Sequence, residues 1–279
     1  MGVTYLTNGT SFEAETLIVL MTYNEENYIE QAVQSLLNQV YQNFTLLIFD
    51  DGSNFDIKAK VNPLIEKQHS DRVEIFIQSR NLGVERHHSY IAEAIANRTE
   101  QFVAFLNGDD YWEADWLEFS VNVLRERSEI SVVSSKCHVL DVSCGSESTY
   151  IAPRLESSML FNQDYLLKFG PPHLNTSTVY RFSSIKSLEI LKGIDYEKSV
   201  ACLDGNKKLL ILNKILATYR KGVGISSVSS RHRDWVEKQH LDACTKFVFK
   251  YPGKVSLIME RYSKYANRVA NRLCQKLPP

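Results

Sequence analysis

Acidic residues recur in this chain where a short apolar run meets a turn. Phe44 to Phe49 stops at Asp50-Asp51-Gly52-Ser53, and Gln101 to Leu106 stops at Asn107-Gly108-Asp109-Asp110. An earlier run, Leu17 to Met21, stops at Thr22-Tyr23-Asn24-Glu25-Glu26. Hard cations such as Mg2+ and Mn2+ take oxygen ligands, and one or two carboxylates with phosphate and water oxygens complete their shell. Carboxylates in such turns can also hydrogen-bond ribose hydroxyls or take a proton from an attacking hydroxyl. Alone, Asp-Asp-Gly-Ser is an ordinary strand-ending turn, because Asp bonds its own backbone and Gly accepts positive φ. Three acidic turns in the first half of one chain point beyond that.

The elements that would carry these turns alternate. Leu17 to Met21 has the composition of a strand buried on both faces. After its turn, Ile29, Ala32, Val33, Leu36, Leu37 and Val40 recur at helical spacing behind an acidic start, which suits the positive end of a helix dipole. Phe44 to Phe49 completes a β-α-β unit. A helix around Val61 to Ile65, a strand at Val73 to Ile77, the turn Asn81-Leu82-Gly83, a helix through Ile91 and Ile95, and the strand Gln101 to Leu106 follow. In an open α/β sheet ligands bind beyond the carboxyl ends of the strands, where the acidic turns fall.

A helix runs from Trp116 to about Arg127. Beyond it the pattern predicts strands at Ile130 to Val133 and Val139 to Val142, a loop at Cys144 to Ser148, and a strand opened by Pro171-Pro172 and running through Val179-Tyr180. Two more strands are expected at Leu209 to Leu212 and Ile215 to Tyr219. Asp195 stands just ahead of a short helical stretch, Tyr196 to Leu203, where an N-cap would be.

With 279 residues, 44% of them apolar, the chain can bury a large core as one domain or two fused halves. A formal net charge of -1 provides no field for nucleic acid. Positive charge gathers near the C-terminal end, where Lys246, Lys250, Lys254, Arg261, Lys264, Arg268, Arg272 and Lys276 stand against one acid, Glu260. On a helix, Arg261, Lys264, Arg268 and Arg272 form a stripe beside Val255, Ile258, Tyr262, Val269 and Leu273. That pattern suits an anionic membrane surface or, equally, packing on the chain's own domain with a solvated basic edge. Five scattered cysteines without a Cys-x-x-Cys pair read as free thiols in a reducing compartment. The apolar runs are strand-sized, so the expectation is a cytoplasmic protein, at most peripheral on the inner face of the cell membrane.

The stretch TYNEENYIEQAVQSLLNQVYQNFTLLIFDDGSN, followed by NLGV and LNGDDYWEADWL, resembles glycosyltransferase family 2 over residues 16 to about 120. Members of that family have the α/β GT-A fold, a Rossmann-like mixed sheet flanked by helices. The resemblance implies that Thr22, Tyr23, Glu25 and Asp51 contact the base of a nucleotide sugar. It also implies that Asn107 and Asp109 lie at ribose and metal, and that Asp109 holds Mn2+ or Mg2+. Many relatives carry Asp at the position of Asn107; an amide can bond a ribose hydroxyl or a water but brings no charge to the metal. Asp110 reads as a helix-start residue, or else as a group behind the metal ligand.

GIDYEKSVACL and KKLLILNKILATYRKGVGISS are similar to the family's catalytic helix and the strands after it. That match implies Asp195 as the base that takes the acceptor proton in an inverting displacement. This chain has Ile194-Asp195 where relatives often have Glu-Asp, and Lys221-Gly222 after Tyr219-Arg220 where a histidine is common. The implied organisation is a nucleotide-sugar-binding half at 1–115, an acceptor-binding and catalytic half of the same domain at 116–228, and a basic amphipathic helical extension at 229–279.

The implied activity is transfer of a sugar from a nucleoside diphosphate, UDP by default, to a glycan or lipid-diphosphate-linked saccharide, as in bacterial O-antigen or capsule synthesis. A sugar nucleotidyltransferase would need a Gly-rich, basic loop after the first strand, and a dinucleotide oxidoreductase a G-x-G-x-x-G; residues 22–28 contain neither Gly nor a cation. A sugar-nucleotide-binding protein without catalysis is the reading from another class, prompted by Asn107 and Ile194-Asp195. Some side chains stand open between site and scaffold. Trp112 could stack on a sugar or join the core, and His173 could face the acceptor or serve structure. Arg86, His87 and His88 could approach the diphosphate or line a solvated helix face, and Asp204 is the alternative base.

Overall fold

The computed structural model describes residues 14–69, 71–150, 156–223 and 230–275, with the backbone alone for 66–69, 230–236 and 268–275. Among the described residues ten strands form one sheet: β1 Thr16–Thr22, β2 Phe44–Asp50, β3 Val73–Ile77, β4 Phe102–Asn107, β5 Tyr111–Trp112, β6 Ile130–Asp141, β7 Ser146–Tyr150, β8 Met159–Phe161, β9 Thr178–Arg181 and β10 Lys208–Lys221. The helices are α1 Ile29–Leu37, α2 Ile57–His69, α3 Val84–Ile95, α4 Trp116–Glu126, α5 Gln163–Phe169, α6 Leu188–Lys192, α7 Asp195–Ala201, α8 Ser230–Lys250 and α9 Val255–Gln275.

The apolar runs are continuous because both faces of the sheet are covered. Ile18 and Leu20 of β1 pack in one layer with Ile29, Val33 and Leu36 of α1, Val61 of α2 and Trp116 and Val121 of α4. Leu17 and Val19 point the other way, into a layer with Ile91 and Ile95 of α3, Tyr196 and Val200 of α7, Phe247 of α8 and Ile258 of α9. Each fully buried Leu, Ile or Val side chain contributes roughly 1.5–3 kcal/mol, so β1 anchors the sheet from its centre.

Strand order is β3-β2-β1-β4-β9-β6-β10-β5, with β7 on β6 and β8 on β10. The pairs β3–β2, β2–β1 and β1–β4 are parallel, while β9 runs antiparallel to β4 and β6. From β1 the chain moves outward to β2 and β3, then returns through α3 to β4 on the other side of β1. That reversal opens a crevice beyond the carboxyl ends of β1 and β4. The described residues thus form the α/β GT-A architecture, with α8 and α9 as its C-terminal helical extension.

Several local expectations are corrected. α1 ends at Leu37, and Val40 is 57% exposed; Gln39 turns inward instead, donating to Glu113 O at 2.8 Å and accepting from Leu117 N at 3.0 Å. β6 is one strand of 12 residues rather than two. Its polar middle is buried, with Ser134 Oγ donating to Ser177 O at 2.6 Å. β10 likewise joins two expected strands through register shifts around Ile215, which leave that side chain exposed. Ser146–Tyr150, partly expected as loop, is an edge strand on β6. After Pro171-Pro172 the strand begins only at Thr178.

The basic C-terminal segment buries Arg261 and holds four lysines in pairs at the surface. Arg261 is buried, its guanidinium 4.3 Å over the Tyr196 ring and donating to Tyr265 OH at 3.0 Å, so it leaves the expected solvent stripe. Lys246 pairs with Glu197 at 2.7 Å, Lys250 with Asp204 at 3.4 Å, Lys254 with Asp164 at 2.8 Å and Lys264 with Glu260 at 3.5 Å. The side chains of Arg268, Val269, Arg272 and Leu273, and Lys276, lie outside the described residues. Among the described residues no helix is long and apolar enough to cross a membrane. Cys137, Cys144, Cys202 and Cys244 are free thiols, and the Cys274 side chain is outside the description.

Candidate active site

Each acidic turn is held by the next. Asn24, at φ 56°, donates its N–H to Ser53 Oγ and accepts from Asn54 N, both at 2.8 Å. Ser53 N in turn donates to Asp50 Oδ2 at 3.1 Å. Gly52, at φ +74°, lets the Arg80–Asn81 backbone pass over it; a Cβ there would lie 2.5 Å from the Arg80 carbonyl carbon. The Asn81-Leu82-Gly83 turn is thereby brought onto Asp51, which accepts from Leu82 N at 2.8 Å and Gly83 N at 3.1 Å. Asp51 is buried and spends an oxygen on each N–H.

At the switch point Gly108 N donates to Met21 O at 2.7 Å. The turn after β4 therefore lies flat on the end of β1, and a Cβ on Gly108 would collide with Glu25 Oε2 and sit 2.7 Å from Thr22 Oγ1. Those two oxygens are buried without a hydrogen-bond partner. Burial and the neighbouring Asp109 carboxylate push Glu25, 7% exposed, well above the usual carboxylate range. Burial raises Asp109 to about 6, against the pull of Arg220. Tyr23 stands beside them, 41% exposed. Thr22, Glu25, Asn107 and Asp109 thus meet around Gly108, with Tyr23 at the rim and Asp51 at the neighbouring strand end.

These oxygens fit a hard divalent cation in kind, and the unpartnered Glu25 Oε2 beside a carboxylate that repels it is a position a cation would relieve. Among the described residues no three ligating side chains converge tightly enough to hold a metal by themselves.

Asp110 is corrected. It starts no helix, since α4 begins at Trp116. It is wholly buried, accepting from Arg220 N at 2.8 Å and from the Thr176 hydroxyl, and burial followed by Asp109 raises it to about 8. It therefore pins the acidic turn to β10 and to the turn before β9. Arg220, which the sequence reading passed over, completes this floor. Its guanidinium donates to Asp109 O and Gln31 Oε1 and lies between the rings of Tyr28 and Tyr111, 4.8 and 5.0 Å from their centroids. Its signal in the sequence was the Tyr219-Arg220 pair in the segment that resembles the family's strands after the catalytic helix.

Asp195 comes to the other side of the same crevice. It lines a small cavity with Met21 of β1 and Phe105 of β4. It is the first residue of α7, whose N-cap is Ile194, and it makes no cap bond; Glu197 accepts from Ile194 N at 2.9 Å in its place. Asp195 is exposed, yet the protein packed around its carboxyl raises its pKa, opposed by Lys198. Asp204 is committed elsewhere, accepting from Gln163 Nε2 at 2.5 Å and Tyr251 OH at 2.8 Å.

The open side chains resolve. Trp112 is core, its Nε1 donating to Thr176 O at 2.6 Å. His173 is buried, bonds Ser199 Oγ at 3.1 Å, and is driven down to about 3 by burial; it fastens the Pro171-Pro172 loop to α7. Arg86 is exposed. His87 is buried, with Nδ1 3.5 Å from Asp51 Oδ1, and His88 lines the cavity with Asp195.

The family model for glycosyl transferase family 2 matches residues 17–184. An uncharacterized glycosyltransferase of Haemophilus influenzae is 28% identical over 216 residues, 76% of this chain and 81% of the relative. The putative teichuronic acid biosynthesis glycosyltransferase TuaG of Bacillus subtilis is 29% identical over 122 residues, 43% of this chain and 45% of that one. Among solved structures, S. aureus TarS 1-349 in complex with UDP-GlcNAc aligns with TM-score 0.62 at 17% identity, covering 84% of this chain and 66% of TarS 1-349. The mannosyltransferase PcManGT from Pyrobaculum calidifontis, in complex with GDP-Man and Mn2+, aligns with TM-score 0.56 at 12% identity over 95% of this chain and 76% of that one.

Proposed function

The chain belongs to glycosyl transferase family 2, and from that membership we propose that it transfers a sugar from a nucleoside diphosphate to a saccharide hydroxyl in a single inverting displacement. The observation that carries this reading is the crevice at β1 and β4. Oxygens of Thr22 and Glu25 crowd Gly108 at one side of the β1 end with the Asp109 carboxylate acting on Glu25, and Asp195, which caps nothing, lies beside Met21 at the other. Successive strand residues face opposite ways, so one strand end serves both.

Asp109, with Glu25 beside it, would hold Mn2+ or Mg2+, whose charge would stabilise the departing diphosphate. Tyr23 offers an exposed ring face to the base, and Thr22, Glu25 and Asn107 offer hydrogen-bonding groups to base and ribose. Asp51 would reach the base through lone pairs left after its two backbone bonds. Asp195 takes the proton of the acceptor hydroxyl as that oxygen bonds the anomeric carbon and the bond to the diphosphate oxygen breaks.

UDP is the default nucleotide; neighbours in fold are solved with UDP-GlcNAc and UDP, and another with GDP-Man. The name of TuaG supports a surface-polysaccharide role, with a glycan or lipid-diphosphate saccharide as acceptor. Residues 1–115 would bind the donor, 116–228 the acceptor and the base, and 229–279 would brace α7 through Lys246 and Glu197. Contact of that last segment with an anionic membrane at the cytoplasmic face has as its support exposed Phe249, the sequence positions Arg268 and Arg272, and lysines that stay partly exposed in their surface pairs.

A screen of UDP-, GDP- and dTDP-sugars with Mn2+ and a lipid-diphosphate monosaccharide acceptor tests this. Transfer with inverted anomeric configuration is expected from one donor. Binding of a donor with no transfer under any condition would replace the enzyme with a sugar-nucleotide-binding protein.

A further inference from the structure

Behind Asp195 the chain buries a lysine. Lys198, one helical turn along α7, is 4% exposed. Taking an ammonium out of water costs several kcal/mol unless other groups compensate, so its neighbours decide why it is tolerated. Its Nζ donates to Gly193 O and stands 5.7 Å from the centroid of the Phe105 ring. Two carboxylates of its own helix act on it, Asp195 and Glu197. Glu197 is already engaged by Lys246 Nζ at 2.7 Å and Ile194 N at 2.9 Å. Asp195, which caps nothing, is the carboxylate left to balance the buried charge.

Asp195 and Lys198 line one cavity of about 20 Å³ together with Met21, His88, Phe105 and Asn175. Lys198, 4% exposed, forms part of the wall of that space, which has room for a water. The other titratable groups turned toward Asp195 are neutral. His88, from α3, is driven down to about 3 by burial and by Lys198, and Tyr180, from β9, is pushed far up by burial and by Asp195 itself.

We propose that Lys198 is the positioning residue of Asp195: held on Gly193 O in the wall of the cavity that both side chains line, its buried ammonium orients the Asp195 carboxylate toward the acceptor hydroxyl. The inference rests on the reading of Asp195 as the base. Lys198 takes no part in bond making.

The test compares the purified full chain with Lys198→Met, Lys198→Gln, Lys198→Arg and Asp195→Asn, using the donor and acceptor found in the screen. Lys198→Gln keeps a donor for Gly193 O and removes only the charge, so it covers the case in which Lys198→Met fails to fold. The readouts are the pH profile of kcat/KM and the 13C titration of the Asp195 carboxyl. Lys198→Met and Lys198→Gln should move the acid limb up by about one pH unit, with a loss that grows toward tenfold below that limb and vanishes at pH 8. The carboxyl titration should move with it, and Lys198→Arg should leave both in place. A uniform loss of kcat at every pH, with the Asp195 titration unmoved, overturns the role of Lys198 while an inactive Asp195→Asn keeps Asp195 as base. Retained transfer in Asp195→Asn overturns the base itself, and this inference with it.

Discussion

The backbone N–H of Arg220 donates to Asp110 Oδ1 at 2.8 Å, joining residues 110 positions apart in the chain. The acidic turn after β4 is therefore held in place by β10. The Arg220 guanidinium continues the same contact to Asp109 O and to Gln31 of α1. Arg220→Met should leave the backbone bond but strip the charge that faces two carboxylates. Removing one partner of a buried charged set costs about 3–5 kcal/mol, so a loss of that order in urea denaturation is expected, with donor affinity falling as the Asp109 turn loosens. Unchanged stability would mean that the guanidinium is not part of the floor.

The carboxylates imply a pH dependence with a definite sign. Asp titrates at about 3.9 in an unfolded chain, whereas burial raises Asp109 to about 6 and Asp110 to about 8. Between those limits the folded protein holds protons that the unfolded chain has lost, so stability of the metal-free protein should fall as pH rises from about 4 to about 8. Asp110→Asn should flatten the upper part of that decline. Mn2+ should raise Tm more at pH 8 than at pH 5, because it binds the ionised form; thermal melts across pH with and without Mn2+ read both effects.

Asp195→Asn and Asp204→Asn should separate cleanly. General bases contribute about 10²–10⁴-fold, so Asp195→Asn should lose transfer on that scale while donor Kd from calorimetry stays nearly unchanged. Asp204 serves Gln163, Tyr251 and Lys250. Its variant should keep transfer and lose about 1 kcal/mol of stability. Reversal of these two outcomes would move the base to Asp204.

Gly108→Ala should injure the site more than the fold. The added methyl must displace Glu25 and Thr22, so weaker donor binding is expected, tenfold or more, with a small change in Tm. Wild-type donor affinity in that variant would remove Glu25 and Thr22 from the donor site.

Much of the first half was legible because its signals are local. A strand covered on both faces is mostly apolar, as Leu17 to Met21 and Phe44 to Phe49 are, and the turns that end such strands favour small and polar residues. β6 and β10 misled for the complementary reason. Ser134 and Ser135 read as a break, yet the sheet buries them and Ser134 finds its partner at Ser177, 43 residues away. Exposed Ile215 sits at a register shift that only the pairing with β6 reveals.

The sequence by itself determined the alternating α/β order, the family resemblance, and that Glu25, Asp51 and Asp109 fall at strand ends, because periodicity and turn chemistry act between neighbours. Only the tertiary structure decided what each acid does there. Asp51 spends its oxygens on the Leu82 and Gly83 N–H groups, Asp110 pins β10, and Glu25 turns a buried Oε2 toward Gly108. Asp195 is free because Glu197 does the capping. A carboxylate's charge and reach depend on burial and on partners supplied from distant parts of the chain, and those are fixed when the layers close.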